Sequence, residues 1–558
     1  MVQKLLGFLY KETKTLNQAA FLLGFFAILS QVLAFLRDRL LAHIFGVSSS
    51  LDIYYAAFRI PDFIFVTVAS VVSISVLVPF IIEKDACGRE ELRKFIDSIF
   101  SFFSVLIISV AVLAFVLMPV LSKLLFKGMP VETLSQVVMI SRIMLLSPVF
   151  LGFSNLFGSL TQAYNRFTVY ALSPLFYNIG IIFGTIFLTE KYGIFGVAIG
   201  VVAGALMHAL IQVPFVIKSG LLPRASFSFN LSIIKKVSII SLPRTLTLSM
   251  NQLAFIFLVS MASLMTAGSI SVLSFSNNLQ SVLLSIVGVS YSLAAFPTLS
   301  RHFQENDIGA FVKQMANTTK LIIFWSLPLT ALFIVLRAQI VRVILGSGEF
   351  NWNDTRLTAA ALALFILSSL AQSLLLLFMR GFYSAGETKK PFLINLYSSL
   401  FLIITSFALV KAFAYFEGFR YFITAMLKVE DIPGTAVLML PLGFSIGTII
   451  NALVHWYSFE KEFKNFSKEV LPTLFQAFGV SVIMGAAAYV GLNIFASFYN
   501  PISLIGIFLQ GLLAGLFAIL VGVVVFHALG SRELGEVWFS IKSRFWKTKV
   551  IATDPEIV

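Results

Sequence analysis

Long apolar runs separated by short polar segments recur along the whole chain. Fourteen of them meet or approach the ~20 residues a helix needs to cross a bilayer. They are residues 18–36, 63–82, 99–121, 137–160, 169–188, 193–217, 237–265, 270–299, 321–336, 357–379, 391–410, 436–457, 470–498 and 501–529. The shortest, 321–336, extends through Thr318 and Thr319. The pattern predicts an all-α polytopic membrane protein with about fourteen transmembrane helices.

An even number of spans puts both termini on one side, and the basic residues say which. With the N-terminus inside, the inner segments carry 26 of the 40 Lys and Arg and the outer loops 11. That bias predicts both termini in the cytoplasm. Residues 1–17 then form one cytoplasmic tail and 531–558 the other. No small-residue cleavage site precedes the first apolar run, which reads as an uncleaved signal anchor.

The chain also resembles itself at an offset of about 220 residues. VLVPFI around Pro79 matches AAFPTL around Pro297, VLSKLLFKG at 120–128 matches QIVRVILGSG at 339–348, and 158–178 loosely matches 380–395. Six spans separate the copies, so the repeat is parallel. Two pseudo-symmetric six-helix lobes, 18–220 and 221–460, are expected to face a central cleft and work by alternating access. The last two spans, within 461–530, fall outside the repeat.

Composition agrees with a membrane class. Of 558 residues, 58% are hydrophobic and 12% charged, and the mean hydropathy is +0.95. The single cysteine, Cys87, excludes an internal disulfide framework and a multi-cysteine metal site. The net charge of +14 sits in short loops beside apolar spans, which favours anionic headgroups over nucleic acid.

Against that background the stretch 36–63 stands out, because it sets Arg37, Asp38, Arg39, Asp52, Arg59 and Asp62 between two spans. A charge at the bilayer centre costs roughly 3 kcal/mol even on the lenient insertion scale, so such residues normally face a polar cavity. This reads as the mouth of a transport pathway. Arg37 and Asp38 could instead pair with each other at a helix end. Ser30 and Gln31 lie seven residues before them, however, and so share their helix faces.

The eighth span repeats Ser274, Asn277, Asn278, Ser281 and Ser285 at helical spacing, as glue between helices or as a cavity lining. Arg142 and Arg244 read as snorkelling cations, and His208, His455 and His527 as packed rings. GETKK at 386–390 lacks phosphate-loop spacing and reads as an inner hinge. Residues 411–433 form a long outer loop able to lay a helix on the surface. No catalytic triad, metal-ligand set or paired carboxylates appear, so no enzyme is expected.

SQVLAFLRDRLLAHIFGVSSSLDIYYAAFRIPDF, QAYNRF, FPTLSRHF and GFYSAGETKKP together resemble the MurJ (MviN) lipid II flippases of the multidrug/oligosaccharidyl-lipid/polysaccharide exporter superfamily. The resemblance covers most of the chain. It implies two lobes around a cationic cavity, a groove in the last two spans for a polyprenyl tail, and an inner-membrane location. The implied substrate is undecaprenyl-pyrophosphate carrying a disaccharide-pentapeptide.

Carried over by position, the resemblance assigns substrate contacts to Arg37, Asp38, Asp52 and Arg59. Three family arginines are replaced by Gln31, Phe65 and Asn278, and an acidic-glycine pair by Ser70-Val71. Gln31, Asn277 and Asn278 complete the candidate site. The resemblance also allows a sodium site at Asn251 and Asn395, or coupling to membrane potential, with no other cofactor; membrane lipids and cell-wall synthesis proteins are the expected partners.

The leading expectation is a lipid II flippase with Arg37 as the main pyrophosphate contact. Alternatives are a flippase for another lipid-linked oligosaccharide, a transport-inactive scaffold for envelope assembly, and a cation-coupled drug exporter.

Overall fold

The computed structural model describes residues 16–69, 74–224, 231–498 and 503–545, and its described elements are helical. Most of the two tails and the Ser70-Val71 pair lie outside the described residues, as does the side chain of Arg244.

Eleven described helices are long and apolar enough to cross a membrane, and the pair Trp352–Ile366 and Ser369–Ser384, bent by 41°, makes a twelfth. The first two expected spans correspond to Leu16–Phe45 and to Ser49–Ala69 followed by Ile74–Ala86. The protein is a multi-pass membrane protein, and its helices follow the fourteen apolar runs in order.

The main departure lies at residues 36–63. The first helix continues from its apolar run through Arg37 and Asp38 to Phe45, and the next begins at Ser49 after a turn at Gly46 with φ 58°. The charged stretch is therefore almost wholly helical. Intrahelical hydrogen bonds satisfy its backbone, which leaves the side chains free to be aimed inward.

By compactness the chain divides into two units whose segments interleave. One comprises Met1–Val282, Val341–Ser368 and Gly386–Val454, the other Leu283–Ile340, Ser369–Ala385 and His455–Val558.

In the first unit, Phe167–Phe183 packs along Ile194–Leu210. The contact is made by glycines: a Cβ at Gly180 would strike the Gly204 backbone, and one at Gly184 the backbone of Gly196 and Gly200. Small residues at four-residue spacing let helix backbones approach, so dispersion and close packing replace the hydrophobic drive that lipid does not supply. Gly443 and Gly447 use the same spacing against Ser406 and Leu402.

The second unit is built on aromatic packing. Phe459 lies within 6 Å of Phe311, Phe378, Phe382 and Phe466 by ring centroid, mostly tilted or edge-on. Phe466–Ala496 packs along Ile308–Val335, with Lys320 and Glu469 paired at 3.5 Å.

The stretch 411–433 forms the helix Glu417–Leu427, which turns its Ile423 and Leu427 inward and leaves Tyr421 and Phe422 exposed. Arg356 clamps the segment after it, donating to both Asp431 carboxylate oxygens at 2.6 and 2.7 Å and to the Lys428 carbonyl at 2.6 Å.

Candidate substrate cavity

Six helices of the first unit bring polar groups to one cavity of about 390 Å³, two of them through Ser147 and Tyr177. The Leu16–Phe45 helix supplies Arg37 and Asp38, and Ser49–Ala69 supplies Tyr54, Arg59 and Asp62. Leu231–Ala262 adds Gln252 and Phe255, and Ser269–Leu283 adds Asn277 and Asn278.

Arg37 is held from two sides. Its Nε and Nη2 donate to Asp38 Oδ1 at 2.9 and 2.8 Å, and its Nη1 donates to Asn178 Oδ1 at 3.1 Å. Asp38 is in turn engaged at both oxygens, its Oδ2 accepting from Asn278 Nδ2 at 3.1 Å. Asn178 also reaches Ser30 Oγ at 3.4 Å, so the stripe expected from Ser30 to Arg37 meets a single partner. The local pairing of Arg37 with Asp38 and the polar face are both present.

Arg59 is held more loosely. Its Nε donates to the Tyr55 carbonyl at 3.1 Å, its Nη2 to Ser274 Oγ at 3.3 Å, and its guanidinium lies 4.8 Å from the Phe255 ring centroid. Asp62, one turn further on, accepts from Gln252 Nε2 at 3.3 Å.

The resemblance implied a cationic cavity, and the structure differs. Two guanidiniums face two carboxylates here, so the formal charges cancel. Asn278 and Phe65 line the cavity where the family places arginines, contributing an amide and a ring.

The remaining candidates divide. Asn277 lines the cavity and accepts from Gln280 at 3.2 Å. Gln31 is half-buried and outside the lining. Asp52 also lies outside it: this carboxylate accepts from the Gly268 and Ser271 amides at 2.6 and 2.7 Å and from Ser271 Oγ at 2.6 Å. It caps the start of Ser269–Leu283, satisfying orphan amides at a helix N-terminus. Arg39 does the opposite task, donating to the Val343 and Ile344 carbonyls at the end of Arg337–Leu345.

Asn251 is exposed, whereas Asn395 is buried and accepts from Asn451 at 2.8 Å; the two sodium candidates are not shown together. Arg142, expected to snorkel, donates to the Phe115 carbonyl at 3.1 Å. Sequence reasoning missed Tyr177, Asn178 and Gln252. Each is one polar group on an apolar span, and nothing in spacing alone brings the three to one place.

The family model described as lipid II flippase MurJ matches residues 41–510. The chain belongs to the MurJ family. A relative named probable lipid II flippase MurJ, from Buchnera aphidicola subsp. Acyrthosiphon pisum, is 27% identical over 382 residues, covering 67% of this chain and 74% of its own. Among solved structures, a lipid II flippase MurJ in an inward closed conformation aligns with TM-score 0.73 at 23% identity, covering 91% of this chain and 99% of its own. An inward-facing MATE family transporter of the MOP superfamily aligns with TM-score 0.64 at 15% identity, over 78% and 96% of the two chains. These two likenesses establish the fold. The stretch 36–63, of which the family match covers the part from residue 41, supplies Arg37, Asp38, Arg59 and Asp62 to the cavity.

Proposed function

We propose that this chain is an inner-membrane flippase that moves lipid II from the cytoplasmic to the outer leaflet by alternating access. Membership of the MurJ family supports the substrate. The observation that carries the chemistry is the meeting of Arg37 and Arg59 at one cavity inside an otherwise apolar helical protein. A guanidinium matches a pyrophosphate in shape and charge, and low-dielectric walls strengthen the contact. No bond is made or broken; the protein gives a charged headgroup a polar path through the bilayer.

Of the two arginines, Arg59 is the better primary phosphate contact, because Asp38 already occupies Arg37. Both termini are read as cytoplasmic from the loop charges. Coupling to membrane potential or a monovalent cation completes the proposal, and cell-wall synthesis enzymes are the natural neighbours of such a transporter.

The test is rescue of a bacterium depleted of its own lipid II flippase, scoring lipid II at the outer face. Wild type restores it, Arg59→Ala at matched membrane level does not, and Arg59→Lys restores part. The charge balance of the cavity favours a second reading, a flippase for another polyprenyl-pyrophosphate glycan. Failure of well-inserted wild type to rescue would select it.

A further inference from the structure

Asp62 and Arg59 lie three residues apart on the Ser49–Ala69 helix and both face the cavity. Residues at that spacing share a helix face. Both are underused. Asp62 accepts one hydrogen bond, at 3.3 Å, from the neutral amide of Gln252, and no basic group among the described residues comes within ion-pair distance of it. An ionised carboxylate offers about four acceptor positions, so most of this one remains open to the cavity. Arg59 likewise keeps its Nη1 unbonded among the described residues. Asp38 shows the contrast, with both oxygens occupied by Arg37 and Asn278.

A half-buried carboxylate with no ion pair, offset only by the more distant charge of Arg59, is costly, and a polar cavity is where a closer cation arrives with the ligand. We propose that Asp62 binds a primary ammonium group of the substrate headgroup while Arg59, one turn away, binds phosphate oxygen. The cavity would therefore select a zwitterionic headgroup. This rests on the lipid-linked reading above and adds a specificity element to it. A bilayer phospholipid with an ethanolamine headgroup carries the same ammonium-and-phosphate chemistry, so the test separates the two sources.

The full chain is placed in phosphatidylglycerol nanodiscs, and binding of lipid II with a free side-chain amine in its peptide is compared with the same lipid N-acetylated. Wild type is expected to prefer the free amine about tenfold, the scale of one charge-assisted hydrogen bond. Asp62→Asn is expected to bind both forms alike. If Asp62 merely offset the charge of Arg59, Asp62→Asn would tighten both forms equally and leave the preference unchanged, which overturns the proposal. No preference in wild type also overturns it. Binding of neither form by wild type removes the lipid II reading itself and this assignment with it. If added phosphatidylethanolamine abolishes the preference in wild type and leaves Asp62→Asn unaffected, the carboxylate takes the phospholipid ammonium, and the assignment stands with that source.

Discussion

Ser141 donates its hydroxyl hydrogen to the carbonyl of Ala57 at 3.1 Å, in the buried interior of the first unit. Ala57 lies four residues before Pro61, which has no N–H and leaves that carbonyl without its helical partner. The next residue, Arg142, does the same for Phe115, whose carbonyl Pro119 leaves open. Two consecutive residues thus repair two proline gaps in different helices, and one of those prolines, Pro61, lines the cavity between Arg59 and Asp62.

Ser141→Ala is expected to lower stability by about 1–3 kcal/mol, the cost of a buried carbonyl left unpaired. Pro61→Ala restores the amide, so the pair of changes should be closer to wild type than Ser141→Ala alone. Thermal unfolding in detergent of the single and double variants measures the difference. Additive losses would show that the hydroxyl has another role.

Arg37→Ala should act first on folding. Arg37 is 20% exposed and Asp38 6%, so removing the guanidinium strands a buried carboxylate at a cost of roughly 3–5 kcal/mol. Membrane levels should fall, and adding Asp38→Asn should raise them again. Arg59→Ala breaks no ion pair and should keep its level and lose transport. Quantitative immunoblots beside the rescue assay read both.

Asp52→Ala should behave as a structural variant. It removes the acceptor of three short hydrogen bonds at the start of Ser269–Leu283, worth ~3 kcal/mol together. The expected result is less folded protein with unchanged headgroup affinity per folded molecule. Binding titrations on the monodisperse fraction decide the matter, and weakened affinity there would return Asp52 to the substrate path.

The Arg356 guanidinium beside Asp431 holds its carboxyl below the ordinary value of 3.8. A depressed carboxylate adds stability that is complete above its unfolded value and lost as pH falls through the lower folded value. The helix Glu417–Leu427 should therefore stay clamped from neutral pH down to pH 5 and loosen only below about pH 4. A spin label at Tyr421, introduced with Cys87→Ser, should gain mobility in that range. Asp431→Asn should show the loosened spectrum at neutral pH.

Much of the architecture was legible in the chain. The apolar runs specify the helices, because a bilayer forces each crossing segment to satisfy its own backbone. The stretch 36–63 also announced itself, since charges between spans are too costly to be idle. Arg37, Asp38, Arg59, Asn277 and Asn278 were identified from it and from the polar face of the eighth span, and all five line the cavity. Asp52 was legible as important, but its task was not. A carboxylate that caps a helix over two hundred residues away looks, in sequence, like one that meets a ligand.

By itself, then, the sequence determined the helical membrane class, the order of the spans, the family and the segment that carries the charges. Tertiary structure alone decided which charges are spent and which stay open. It gave Asp38 to Arg37 and Asn278, and it brought Gln252 to Asp62, from spans widely separated in the chain. It also supplied Ser141 to the carbonyl that Pro61 frees. The physical reason is range. Hydrophobic length and helical periodicity act within a segment, whereas pairing of buried charges depends on contacts between segments, which spacing does not encode.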